Sequence, residues 1–121
     1  MYLYKDRGFY NPKDLAISVI GGKWKIPIVW HLLHYEPLRL SELNKYMPQV
    51  TQRMLIRQLR ELEEDGIIER TVYPVVPPKV EYHLTEIGHE LAPVVDTICD
   101  WGEEFVKKNQ LEEVDELPPV F

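Results

Sequence analysis

Three arginines, Arg53, Arg57 and Arg60, are spaced by four and then three residues. At about 100° per residue this spacing puts them on one face of a helix, and Leu55, Leu59 and Leu62 repeat it on the opposite face. The leucine stripe must be buried, so the arginines face solvent. A guanidinium fork matches the acceptor pair on a guanine edge in the major groove, and it also matches a phosphate. The charges along this helix are sorted by sign. The arginines come first, and Glu61, Glu63, Glu64 and Asp65 follow toward the C-terminus. A recognition helix enters the groove with its N-terminal residues, which is where Thr51, Gln52, Arg53 and Arg57 stand. A solvated helix held by pairs at i,i+4 would account for the row less well, because such helices mix their signs. Arg60 is the exception: it lies close to Glu63 and Glu64, where an ion pair is expected at least as readily as a DNA contact.

Other side chains fit the same chemistry more weakly. Arg70 and Lys79 flank a proline-rich loop and could reach phosphates or the minor groove. Lys23 and Lys25 open a helix and could add backbone contacts. The lone thiol, Cys99, has Asp96, Asp100 and Glu103 as neighbours and no cation to activate it, so it reads as inert. His31 and His34 share a helix face near Glu36, while His83 and His89 lie apart, and no metal-ligand spacing results. No nucleophile with a base, phosphate-binding glycine loop or paired-carboxylate site presents itself, so neither catalysis nor a cofactor is expected.

The elements that position these residues follow from pattern. Residues 1–10 form an aromatic arm. Asn11 and Pro12 read as cap and first residue of a helix that ends at Gly21-Gly22, with Leu15, Ala16, Val19 and Ile20 along one stripe. A second, nearly all-apolar helix spans about 24–34. Pro37 ends it, and Leu38-Arg39-Leu40 alternates as a very short strand. Ser41 opens a third helix, and Thr51 caps the fourth, which runs to Asp65 and stops at Gly66. Residues 67–73 and 80–84 alternate as strands around YPVVPPK, a segment whose three prolines forbid regular structure. Thr85 caps a last helix to about Lys108, in which Pro93 is expected to cause a kink. The acidic stretch 109–121 with Pro118-Pro119 reads as a loose tail. The fold class is therefore mainly α with a small β-hairpin, in the winged helix-turn-helix order α-α-β-α-α-β-β-α. Residues 11–108 form the domain.

The net charge of −6 does not argue against nucleic acid. Residues 1–80 carry 12 Lys/Arg against 9 Asp/Glu, and residues 81–121 carry 2 against 11, so the acid lies in the C-terminal third. One cysteine, no recognisable secretory signal at the start and no apolar run of membrane length point to a soluble cytoplasmic protein. In the last helix Ile87, Leu91, Val94, Ile98, Trp101 and Phe105 step by 4, 3, 4, 3 and 4, drawing one apolar seam that predicts a homodimer. A small-molecule effector could sit among Trp24, Trp30, Tyr82, Trp101 and Phe105. A winged-helix module that binds protein instead of DNA is the competing class. It would show apolar anchors on the fourth helix, where Ile56 is the only exposed candidate.

Taken together, IGGKWK, SELNKYMPQVTQRMLIRQLRELEEDGIIER and PPKVEYHLTEIG resemble the HxlR-type winged-helix transcriptional regulators of bacteria and archaea. The resemblance spans roughly residues 11–106. It implies a sequence-specific regulator that binds double-stranded DNA as a homodimer, with the first and last helices forming the interface. On this sequence those helices bring Leu15 and Val19 together with Leu91, Val94, Ile98, Trp101 and Phe105. Many members carry a cysteine before a proline at the start of the first helix, in several cases as a sensor of oxidants or electrophiles. Here that position is Asn11, so thiol sensing is not expected there.

Overall fold

The computed structural model describes residues 1–115. The end of the expected tail, residues 116–121, lies outside the described residues.

The first departure from the sequence reading is at the N-terminus. Residues 1–10 are not a plain arm but a small antiparallel hairpin, β1 (Tyr2–Tyr4) and β2 (Arg7–Phe9), with Tyr2 opposite Phe9. Lys5 and Asp6 form its turn with φ of 50° and 60°. Two successive left-handed residues give the turn twist that matches paired strands, but the position usually calls for Asn or Gly, and the sequence offered neither.

Helix α1 (Pro12–Ile20) begins as expected. The Asn11 carboxamide oxygen accepts the Asp14 N–H at 3.1 Å, and Pro12 occupies the first turn, where no N–H is needed. Gly22, with φ +107°, turns the chain into α2 (Lys25–Tyr35). Ile28, Val29 and Leu32 of α2 are fully buried at the centre of the core. The expected strand at Leu38–Leu40 shrinks to one residue. Leu38 exchanges two hydrogen bonds with Tyr82, at 3.0 and 2.8 Å, while Leu40 already starts α3 (Leu40–Tyr46). The third helix therefore opens one residue before Ser41. The Glu42 side chain accepts the Arg39 N–H at 2.9 Å and so helps to cap the helix start.

Leu43 and Met47 bury α3 against α4 (Gln52–Glu64). Thr51 caps α4, its Oγ1 accepting the Met54 N–H at 3.1 Å, and Leu55, Leu59 and Leu62 are buried as the spacing predicts. Gly66, with φ +74°, ends the helix in the left-handed conformation that a Cβ disfavours. The wing hairpin follows, β3 (Ile68–Tyr73) paired antiparallel with β4 (Lys79–Leu84), with Ile68 opposite Leu84 and Tyr73 opposite Lys79.

The last helix is broken, not kinked. Thr85 caps a single turn, α5 (Glu86–His89), and α6 (Ala92–Lys108) starts afresh after Glu90-Leu91. Pro93 has no N–H for the His89 carbonyl, so the helix cannot run through, and Pro93 takes its permitted place in a first turn. Gly88 packs directly on the wing base: a Cβ there would collide with the Ile67 carbonyl oxygen. Glu36 ties the same corner, accepting the Leu84 N–H at 2.8 Å and pairing with His89. The break also corrects the seam. Ile87 sits on α5, so the continuous apolar run begins at Leu91.

Val95, not Val94, is the α6 residue sealed in the core. Val94, Ile98, Trp101 and Phe105 stay exposed in the monomer, and Trp101 stacks on Phe105 with ring centroids 5.2 Å apart. Leu91, Leu15 and Val19 are half-buried, and α1 buries no residue fully. Among the described residues no helix is long and apolar enough to cross a membrane.

Candidate nucleic-acid interface

Helix α4 is fastened by its leucines, which leaves its other side free. Thr51, Gln52, Arg53, Met54, Ile56, Arg57 and Arg60 line one continuous open surface. Thr51 uses its oxygen to cap the helix, so its hydroxyl proton remains to be donated outward. Arg53 and Arg57 are exposed and, among the described residues, form no ion pair.

Arg60 departs from expectation. It makes no ion pair with Glu63 or Glu64, because Glu63 is taken by Arg70 across the gap to the wing, Nε to Oε2 at 3.5 Å. Arg60 therefore extends the unpaired row to a third turn. Arg70 is half-exposed at the third position of β3, opposite Tyr82, and its charge is already balanced. Burial pushes the Tyr82 phenol up from its ordinary pKa, so this residue stays neutral between the two arginines.

The lysines separate as clearly. Lys25 is not available to DNA: it is 7% exposed, packed under α4, with its ammonium 3.8 Å from the Glu61 carboxylate. Its sequence neighbour Lys23 is exposed and rests 4.9 Å over the Trp24 ring. Lys79 lies 4.9 Å over the Tyr73 ring and 3.8 Å from Glu81, so it borders the wing with its charge shared. The tip of the wing carries no charge: Val75 and Val76 project there between Pro74 and Pro77, and Val76 is completely exposed. The proline count alone placed this loop, but its apolar tip received no role in the sequence reading.

One cluster was missed entirely. Asp65, the residue that ends α4, accepts the Tyr4 hydroxyl at 2.7 Å and the Lys5 ammonium at 2.8 Å. Burial alone would push the Asp65 carboxyl up, but the Lys5 and Tyr4 hydrogen bonds outweigh it and hold the group below its usual pKa. The acceptor raises the Tyr4 phenol in turn. These partners are some sixty residues apart, and no local periodicity links them. Among the described residues no group of His, Cys, Asp and Glu could hold a metal ion.

The chain is similar to known proteins in sequence and in fold. The HxlR-like helix-turn-helix family model matches residues 19–110. The HTH-type transcriptional regulator YtcD of Bacillus subtilis is 50% identical over 95 residues, covering 78% of this chain and 75% of that protein. An HTH-type transcriptional regulator of Methanothermobacter thermautotrophicus is 53% identical over 89 residues, covering 74% and 67%. The crystal structure of YtcD superposes with a TM-score of 0.75 at 48% identity, over 80% of this chain and 98% of that one. The redox regulator HypR in its oxidized form superposes with a TM-score of 0.73 at 49% identity, over 78% and 96%. With its helix-turn-helix, wing and free arginine row in place, the chain belongs to the HxlR-like helix-turn-helix family.

Proposed function

We propose that this helix-turn-helix transcriptional regulator acts in the cytoplasm by reading double-stranded DNA as a homodimer. Helix α4 enters the major groove N-terminus first. Arg53 and Arg57 meet guanine edges or phosphates, and Thr51 and Gln52 donate from the first turn. Lys23, Arg70 and Lys79 border the interface and hold the sugar-phosphate backbone, Arg70 and Lys79 more weakly because each already has a carboxylate partner. The observation that carries the reading is the unpaired arginine row opposite the buried leucines. A helix docking on protein would present a cluster of apolar anchors on that surface, and there only Ile56 is exposed, with Met54 half-buried beside it.

The dimer forms through α6, where Val94, Ile98, Trp101 and Phe105 are uncovered, with Leu91 and, from α1, Leu15 and Val19 at its margin. Residues 11–108 are the DNA-binding and dimerising unit. A small-molecule effector would act by shifting the two reading helices relative to each other, and the protein works by binding, not by catalysis. Retention of random duplex fragments by the purified protein, followed by sequencing, yields the operator. Fluorescence anisotropy against that operator and a scrambled duplex then tests the reading. Equal binding to both duplexes, or a monomer of about 14.3 kDa by light scattering, contradicts it.

A further inference from the structure

The N-terminal hairpin touches both parts of the molecule that a dimeric DNA reader must hold in register. At its turn, Tyr4 and Lys5 grip Asp65 at the end of α4. Beside the turn Arg7, opposite Tyr4, donates to the Ser18 hydroxyl of α1 at 3.4 Å; at the other end Phe9 is buried, and the chain enters α1 two residues after β2. Val19, at the α1 margin of the proposed dimer face, lines one small pocket with Tyr4, Lys5, Arg7 and Phe9. The hairpin thus bridges the α1 side of the dimer face to the C-terminal end of the recognition helix.

Asp65 is an unusual residue for its place. A carboxylate at a helix C-terminus opposes the helix dipole, so on its own it would weaken α4. Here its side chain is 12% exposed and carries two charge-assisted or phenolic donors, both from the hairpin. The turn that delivers them adopts left-handed φ at two residues that are not glycine, a conformation with a cost that the contact must offset. The hairpin also lies outside residues 19–110, the segment that matches the family.

We propose that the β1–β2 hairpin is a brace that fixes the angle of α4 to the dimer axis, with Tyr4, Lys5 and Asp65 as positioning residues that set the half-site spacing the protein accepts. This rests on the homodimeric DNA reading above. In a two-fold dimer the separation of the recognition helices must match successive major grooves, about 34 Å apart. A brace removes tolerance for other spacings without touching DNA itself.

The test uses the full chain and a panel of duplexes carrying the selected operator with its half-sites moved closer or farther by one and two base pairs. Wild type should lose about tenfold in affinity for each base pair of displacement, since each also rotates one half-site off the shared face. Tyr4→Phe with Lys5→Ala should cut that discrimination to about threefold or less while affinity at the preferred spacing falls only a few-fold. Asp65→Lys should broaden it in the same way, and adding Lys5→Glu, which restores an opposite-charge pair, should recover part of the preference. If the variants lose affinity equally at every spacing, or keep wild-type ratios, the hairpin is no brace. Arg57→Ala separates the two ideas. If it weakens operator binding while the hairpin variants keep wild-type spacing ratios, DNA reading stands and the brace falls. If wild type shows no preference for operator over scrambled DNA, both fall.

Discussion

The two halves of α4 use charge in opposite ways. Toward the N-terminus Arg53, Arg57 and Arg60 project with no carboxylate bound to them among the described residues. Toward the C-terminus Glu61, Glu63 and Asp65 each hold a cation from another element: Lys25 of α2, Arg70 of β3 and Lys5 of the N-terminal hairpin. One half keeps its charges free for a ligand, and the other uses them to fasten the helix to three neighbours. A free arginine is worth more to a phosphate or a base than one already neutralised, because no existing pair must be broken first. On the proposed reading, the helix reads with one end and is held by the other.

The largest effect should come from the free end. Arg57→Ala is expected to cost about 1–3 kcal/mol per half-site, doubled in a dimer, with relaxed preference at one base if the contact is to guanine. Arg53→Ala should behave alike. Neither should move the melting temperature, since both side chains are exposed. Anisotropy at two salt concentrations together with a thermal melt checks this. If both variants bind like wild type, the division of the helix into reading and holding ends is broken.

The held end should show the reverse pattern. Lys25→Ala removes a packed stem and leaves Glu61 without its cation, at a cost of about 1–2 kcal/mol of stability. Operator affinity should change little as long as the protein stays folded. Urea unfolding paired with anisotropy separates the two quantities. A loss of DNA affinity larger than the loss of stability would show that Lys25 does reach DNA.

Arg60 and Arg70 sharpen the boundary between the halves. Both lie beside Tyr82, yet among the described residues only Arg70 has a carboxylate partner. If each touches one phosphate, Arg60→Ala should reduce the salt slope by about 0.9, and Arg70→Ala by clearly less, because its charge is shared with Glu63. Glu63→Gln should then strengthen binding slightly by releasing Arg70. Equal slopes for the two variants would mean that the Glu63 pair does not persist in solution.

How far the sequence reached follows the same line. The leucine stripe, the Thr51 and Asn11 caps, Gly66 and the wing strands were legible, because each depends on neighbours within one turn or one strand. The free arginines were legible for the same reason, but where the charges at the other end went was not. Glu63 had an arginine three residues back as its local candidate and chose Arg70 on the wing. Asp65 was satisfied from residues 4 and 5. The hairpin itself was hidden because its turn lacks the Asn-Gly signature, and the break before α6 because Pro93 fits a first turn as well as a kink. Lys25 looked like its neighbour Lys23 until packing placed one under α4 and left the other outside.

The Asp65 contact carries a pH signature. The carboxyl sits below its ordinary pKa when folded, so its contribution to stability is present above the unfolded value of about 3.9 and is lost as the pH falls through the lower folded value. The Tyr4 phenol is raised, so its share is present below about 10 and is lost as the pH rises through the folded value. Urea midpoints measured between about pH 3 and 6 should fall more steeply for wild type than for Asp65→Asn, whose amide cannot titrate. Coincident slopes would show that the hairpin contact adds nothing to folding, which would remove one of the three fastenings.

The smallest expected effect is none, and it concerns a place outside α4. Asn11 occupies the helix-start position where the family resemblance places a cysteine in many members, and its carboxamide is engaged as the α1 cap. The remaining thiol, Cys99, is exposed on α6, where Asp96, Asp100 and Glu103 are its charged sequence neighbours. A thiol is activated by a nearby cation, a metal or a helix N-terminus, and Cys99 sits near the middle of α6 with acids around it. Diamide should therefore leave operator affinity within about twofold of the untreated protein, in wild type and in Cys99→Ser alike. A loss of binding that Cys99→Ser prevents would overturn this and would place control of DNA affinity on α6, the proposed dimer helix. Because Cys99 adjoins Ile98 in the exposed seam, the mass of the oxidised protein on a non-reducing gel would then show whether two copies had become linked across the proposed interface.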